Sequence, residues 1–177
     1  MRKSVAVVVS TNSEPECVVQ SNADSLLKQT VKADVYLVGK AEVVPEGVQY
    51  IQIDKIKGAA QREAMVLLSD EYDILVFLDG DYKYPTDAVE RLILPLKYKD
   101  IAYSSISQVF LPMAWATRSE IIHNIVDNYP DVDHPSKVRH LLRQFGMPAS
   151  IPFKATLLRG GRSPAWKKYE KSLVGGG

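Results

Sequence analysis

The amino-acid sequence predicts an α/β fold: one domain, with a mainly parallel sheet flanked by helices. Three observations predict it. Apolar runs such as Ser4 to Val9 and Ile74 to Leu78 lack the polar alternation of a half-solvated strand, so they belong in a sheet buried on both faces. Between such runs lie segments whose apolar residues recur at helical spacing. The chain has 177 residues, of which 46% are hydrophobic and 24% charged, enough for one sizeable core.

The elements follow in order. Ser4 to Val9, rich in valine, is the first strand, and it closes in the turn-forming Ser10-Thr11-Asn12-Ser13-Glu14-Pro15. Ala23 to Gln29 has helical spacing, with Leu26 and Leu27 on one side. Val35 to Val38 is a second strand, closed by Gly39, and Val48 to Ile53 is a third. Gly58 to Leu68 carries the strong helix formers Ala59, Ala60, Glu63, Ala64 and Met65. Ile74 to Leu78 is the clearest buried strand. Pro85 opens the next helix, where Ala88, Leu92 and Leu96 recur every fourth residue. Ile101 to Ile106 reads as a strand, Arg118 to Val126 and Pro135 to Phe145 as helices, and Ile151 to Leu158 returns a last strand to the sheet. No repeat or linker interrupts this order. The domain therefore runs over residues 1–164, and 165–177 form a basic C-terminal tail ending in a flexible Gly175-Gly176-Gly177.

Composition narrows the partners. A formal net charge of +1 provides no broad basic field, so no nucleic-acid partner is expected. Cys17 is the sole cysteine and can form no internal disulfide, which suits a reducing compartment. No apolar run reaches the roughly 20 residues that a membrane-spanning helix needs. The run after Met1-Arg2-Lys3 is too short for a signal-peptide core. A soluble, cytoplasmic protein is expected, with membrane contact at most peripheral, through Trp166-Lys167-Lys168-Tyr169. Oligomers stay open. His123, His134 and His140 lack zinc-like spacing, and surface or capping roles suit them.

In an open α/β sheet, ligands bind beyond the carboxyl ends of the strands. Three polar places qualify: Thr11-Asn12, Asp54 with Lys57-Gly58, and Asp79-Gly80-Asp81. The last ends the most apolar strand. Two acids around a glycine bring carboxylates close together, and glycine permits a tight backbone. Magnesium- or manganese-type cations take such oxygens and leave other positions to water and phosphates. The plain alternative is a solvated acidic turn. No Gly-x-x-x-x-Gly-Lys occurs, so a P-loop ATPase is unsupported.

The stretch from Gly58-Ala59-Ala60-Gln61-Arg62 through Leu78-Asp79-Gly80-Asp81-Tyr82-Lys83-Tyr84-Pro85 resembles glycosyltransferase family 2. The continuation Thr86 to Leu96 is similar to its polyprenyl-phosphate glycosyltransferase branch. Val5 to Asn12 resembles the family's first strand and nucleotide loop, and Met113 to Arg118 the segment before the acceptor-side helix. Asp131-Val132-Asp133, with Lys137-Val138-Arg139 and Phe145-Gly146, resembles the region of the catalytic base. The resemblance spans Val5 to about Pro164 and implies a Rossmann-like GT-A fold.

It also implies roles. Asp79 and Asp81 would hold Mn2+ or Mg2+ on the diphosphate of a UDP- or GDP-sugar donor. Thr11 and Asn12 would meet the nucleoside, and Arg62 would lie near the base or phosphates. Lys57 and Lys83 are further candidate donor-binding residues, as are Arg159 and Arg162, since arginine pairs bidentately with phosphate. Transfer would invert the sugar, with Asp131, or else Asp133, deprotonating the acceptor. The acceptor, a glycan, protein or lipid carrier, is open. Where the family usually has an Asp after its second strand, this chain has Val38-Gly39-Lys40. Where the branch commonly has Gln, it has Lys83, and Pro130 replaces the acid that often precedes the base.

Plainer readings stand beside these. Asp131 and Asp133 suit helix capping before Pro135. Trp115 could stack on a sugar or pack under a loop. A second function class is a catalytically silent GT-A-fold binding or interaction protein. A third is a haloacid-dehalogenase-like phosphatase, but that family places its Asp-X-Asp near the N-terminus, with Thr or Val where Lys83 stands. A nucleotidyltransferase would want a glycine-rich first loop, and Thr11 to Glu14 contains no glycine.

Overall fold

The computed structural model describes residues 3–55, 57–106, 114–129 and 135–158. In chain order the elements are β1 (Lys3–Asn12), α1 (Glu16–Leu27), β2 (Asp34–Lys40), β3 (Gln49–Gln52), α2 (Lys57–Ser69), β4 (Tyr72–Asp79), β5 (Tyr82–Lys83) and α3 (Ala88–Ile93). A 3-10 turn at Leu94–Lys97 follows, then β6 (Ile101–Ile106), β7 (Ala114–Arg118), α4 (Ser119–Asn128), α5 (Pro135–Leu142), β8 (Met147–Ile151) and β9 (Thr156–Leu157). Seven strands form one sheet in the order β3-β2-β1-β4-β7-β6-β8. β7 alone runs against its neighbours β4 and β6, and the other pairings are parallel. The α/β architecture expected from the sequence is present.

The unbroken apolar strands are explained by two cores, one on each face. Along β1, Ala6 and Val8 pack with Ala60, Ala64, Met65 and Leu68 of α2 and with Ile121, Ile122 and Ile125 of α4. Val5, Val7 and Val9 point the other way, toward Val19 and Leu26 of α1 and Ala88, Val89 and Leu92 of α3. β4 divides likewise, with Leu75 and Phe77 on the first face and Val76 and Leu78 on the second. A two-residue repeat with both faces covered demands apolar side chains at every position.

Several boundaries differ from the sequence reading. α1 begins at Glu16, not Ala23, because the Pro15 carbonyl accepts the amides of Val18 and Val19 and starts the helix despite two β-branched residues. Pro85 stands before α3 rather than opening it; its carbonyl accepts the Ala88 amide as the first turn closes. Ala114–Arg118 forms β7, a strand that alanine-rich composition concealed. Its small side chains let β7 lie between β4 and β6 beneath covered faces. Trp115 is fully buried on β7 and stacks on its cross-strand partner Phe77, with ring centroids 4.4 Å apart, so it is a core residue. The last segment splits. β8 starts at Met147 and joins the main sheet, whereas β9 pairs with β5 in a separate two-stranded sheet.

Chain direction positions the site. From β1 the chain winds outward through β2 and β3, then returns to place β4 on the other side of β1. The order thus reverses between β1 and β4, and in such sheets the crevice opens outside the carboxyl ends at that reversal.

Candidate functional site

Ser10 of β1 lies in register with Asp79 of β4, so the two polar loops that follow these strands adjoin at the reversal point. The Asp79-Gly80-Asp81-Tyr82 backbone is held from four directions. The Gly80 amide donates to the Ser10 carbonyl at 3.2 Å. The Tyr84 hydroxyl accepts from the Asp79 amide and donates to the Asp79 carbonyl, each at 3.1 Å. Asn22 Nδ2 of α1 donates to the Tyr82 carbonyl at 2.6 Å and reaches the Asp79 carbonyl at 3.4 Å. The Leu158 amide, just past β9, donates to the Asp81 carbonyl at 2.9 Å. Gly80 is obligatory here, since a Cβ would lie 2.6 Å from the Ser10 carbonyl oxygen.

Both carboxylates of this loop belong to half-buried residues. Their charge is felt locally. Tyr84 is fully buried, and that burial, reinforced by the charges of Asp79 and Asp81, pushes its hydroxyl well above the usual tyrosine value. The hydroxyl therefore remains a neutral donor to Asp79. Magnesium- and manganese-type cations need only one or two protein carboxylates when phosphate and water complete the shell, so this donor set fits such an ion. Among the described residues, no three His, Cys, Asp or Glu side chains lie together in a cluster that could hold a metal ion.

The first-strand loop is braced internally. Thr11 is buried and donates its hydroxyl to Glu14 Oε2 at 2.6 Å, and the Asn12 amide donates to the same oxygen at 2.6 Å. Ser13 takes a positive φ of 57° to turn the chain around this carboxylate. Asn12 is the exposed residue of the pair. α2 stands beside β4, with Gln61 Nε2 directed at the Leu78 carbonyl at 3.4 Å, and Arg62 follows at the half-buried surface. Lys57 is the first residue of α2. Lys83 is exposed on β5, opposite Thr156. Asp131, Asp133, Arg159 and Arg162 lie outside the described residues.

The structure thus sets the loops after β1 and β4, which carry Thr11, Asn12, Asp79 and Asp81, side by side at the carboxyl ends of the strands, with α2 alongside. Sequence reading missed Asn22, Tyr84 and Glu14, which hold these loops in shape. Asn22 acts on a loop more than fifty residues away in sequence, which no local pattern marks. Glu14 and Tyr84 bind groups two to five residues away, at spacings the sequence did carry. Two buried polar atoms near the strand ends, Ser10 Oγ and Gln61 Oε1, have no hydrogen-bond partner among the described residues. His123 Nε2 meets the carbonyl of Ser69 at the end of α2 at 3.1 Å, a capping contact away from the crevice.

No family model matches the chain, and no curated protein matches it in sequence. Solved structures match it in fold. The mannosyltransferase PcManGT from Pyrobaculum calidifontis, in complex with GDP-Man and Mn2+, aligns over 98% of this chain and 61% of its own, with a TM-score of 0.66 and 12% identity. Glucosyl-3-phosphoglycerate synthase from Mycobacterium tuberculosis, in complex with Mg2+ and UDP, aligns over 94% of this chain and 74% of its own, with a TM-score of 0.61 and 14% identity. The 4-diphosphocytidyl-2C-methyl-D-erythritol synthase from Anaerococcus prevotii DSM 20548 aligns over 98% and 99%, with a TM-score of 0.64 and 9% identity. At these identities the likeness is one of fold. The chain has the Rossmann-like GT-A fold seen in nucleotide-sugar transferases. Among its described residues, no helix is long and apolar enough to cross a membrane.

Proposed function

We propose that the chain is a metal-dependent glycosyltransferase that moves a sugar from a nucleotide-diphosphate donor to an acceptor. The observation that carries this reading is the fourfold backbone clamp on Asp79–Tyr82 at the strand-order reversal. A solvated acidic turn needs no such support, whereas a loop that must present two carboxylates in fixed geometry does.

In this reading Asp79 and Asp81 hold the cation, which when bound would neutralise charge on the departing diphosphate. Asn12 faces the nucleoside, and Thr11 braces its loop through Glu14. Arg62, Lys57, Lys83, Arg159 and Arg162 supply positive charge to the phosphates. Asp131, or Asp133 in its place, accepts the proton of the acceptor hydroxyl as that oxygen attacks the anomeric carbon opposite the leaving diphosphate, which inverts the sugar. The resemblance to the polyprenyl-phosphate branch makes a lipid phosphate the first acceptor to assay. Such an acceptor is already ionised and scarcely needs the base.

Calorimetric titration with UDP, GDP and their sugar conjugates, with and without Mn2+, tests the donor site. Asp79→Asn and Asp81→Asn are each expected to abolish metal-dependent binding while the protein stays folded by circular dichroism. Binding that persists unchanged in both variants would sink the reading. A silent binding module is the second reading. The exposed Lys83 cation, two residues beyond Asp81, favours it because it competes with a bound metal. Donor binding that needs no metal, without donor hydrolysis or transfer, would select it.

A further inference from the structure

The structure brings a carboxylate and an ammonium together at the carboxyl ends of the second and third strands. Lys40 is the last residue of β2, in register with Asn12 of β1. Its Nζ meets Asp54 Oδ1, just past β3, at 2.7 Å. The backbone around this pair is held closely. Gly39 takes a φ of +116°, and a Cβ there would lie 2.4 Å from the Thr11 carbonyl oxygen. The Tyr50 hydroxyl donates to the Gly39 carbonyl at 2.8 Å and accepts from the Ala41 amide at 3.2 Å, bracketing Lys40. The Ser13 amide donates to the Lys40 carbonyl at 2.9 Å, which ties this corner to the nucleotide loop. The side chains themselves are 56% and 79% exposed, so the pair contributes little to stability.

We propose that Lys40 and Asp54 read the base of the donor and select guanine. The inference rests on the donor-site reading above. Lys40 ends β2 and Asp54 follows β3, two and three strands from β4, spans of about 10 and 14 Å, so a nucleoside diphosphate with its phosphates at Asp79 would carry its base toward this pair. The hydrogen bond and charge of Lys40 hold Asp54 below the usual carboxylate value, so Asp54 meets a ligand as a pure acceptor. Guanine presents two adjacent N–H donors, N1 and N2, beside the acceptor O6. A carboxylate flanked by an ammonium matches that edge in order: Asp54 accepts from N1 and N2, and Lys40 donates to O6. Uracil has one ring N–H between two carbonyls, so its second carbonyl would face a carboxylate oxygen. Cytosine and adenine set a bare ring nitrogen against the carboxylate.

The test is calorimetric titration, with Mn2+, of GDP, UDP, inosine diphosphate and xanthosine diphosphate into the parent, Asp54→Asn and Lys40→Met. The parent is expected to bind GDP at least about tenfold more tightly than UDP, a discrimination typical of one bidentate contact. Inosine diphosphate, which lacks the N2 amino group, should bind more weakly than GDP. Asp54→Asn should lose the GDP preference and gain xanthosine diphosphate, because a carboxamide complements N1–H beside a C2 carbonyl. That gain cannot come from damaged folding. Lys40→Met should weaken GDP more than UDP. Metal-dependent binding of UDP as tight as GDP, or an Asp54→Asn variant with unchanged preference, overturns this inference and leaves the donor site standing. No nucleotide binding by the folded parent overturns both.

Discussion

Tyr84 shows how one side chain can hold a site that it does not enter. Its hydroxyl spans the amide and carbonyl of Asp79, and burial keeps it neutral. Tyr84→Phe leaves the ring in place but strips both contacts from a half-buried strand end. The variant is expected to lose about 1 kcal/mol of stability, measured by urea unfolding, the net worth of an ordinary hydrogen bond. It should also weaken nucleotide binding, since the Asp79 backbone would then rely on Asn22 and strand pairing. Unchanged stability and affinity would mean that the loop holds its shape without this clamp. Gly80 bears on the same point, because its close approach to Ser10 excludes any side chain.

Among elements, the β8 edge carries its own protection against further pairing. β8 is an edge strand with exposed Met147 and Pro148. The Met147 amide donates to the Asp100 carbonyl at 2.7 Å, so alternation turns Pro148 outward, where its missing N–H denies a donor to any incoming strand. Pro148→Val restores that donor and adds a β-branched side chain. Concentration-dependent association in light scattering is expected of the variant, while the parent stays at its own size. If both scatter alike, the proline is not what protects this edge. The connection before β6 is stitched by Arg118 at the end of β7, whose guanidinium donates to the carbonyls of Leu96 and Ile101, each at 2.9 Å. One long side chain thus orders a turn that carries no regular element beyond the 3-10 segment.

For the whole molecule, two buried tyrosines act on stability at alkaline pH. At the amino end of the sheet the Tyr72 hydroxyl donates to Asp34 Oδ2 at 2.6 Å and meets the Tyr36 hydroxyl at 2.8 Å. Burial first, and then the bonds to Asp34 and Tyr36, raise the Tyr72 hydroxyl above its ordinary value. Tyr84 is raised at the opposite end. An unfolded tyrosine ionises near pH 10, about where the folded protein still keeps both protons. The unfolded state then binds fewer protons than the folded one, so stability falls as pH rises. Urea unfolding should give similar stability from about pH 7 to 9 and a decline above about pH 10, shallower in Tyr72→Phe. A decline of the same slope in that variant would remove Tyr72 from the account.

What the sequence by itself determined is what local pattern encodes. Uninterrupted apolar runs required strands covered on both faces, helix formers between them required crossovers, and Asp79-Gly80-Asp81 marked the end of the most buried strand. Strand ends are where an α/β sheet places polar residues together, so a short motif after an apolar run was enough to point to the loops at the strand-order reversal. Tertiary structure alone decided the rest. β7 became a strand because Ala114 and Ala116 fit between two neighbours, a matter of packing that alanine propensity cannot signal. Asn22 reached the Asp79 loop, Tyr50 bracketed Lys40, and Lys40 met Asp54, because hydrogen bonds form between groups that the fold brings together, however far apart they stand in the chain.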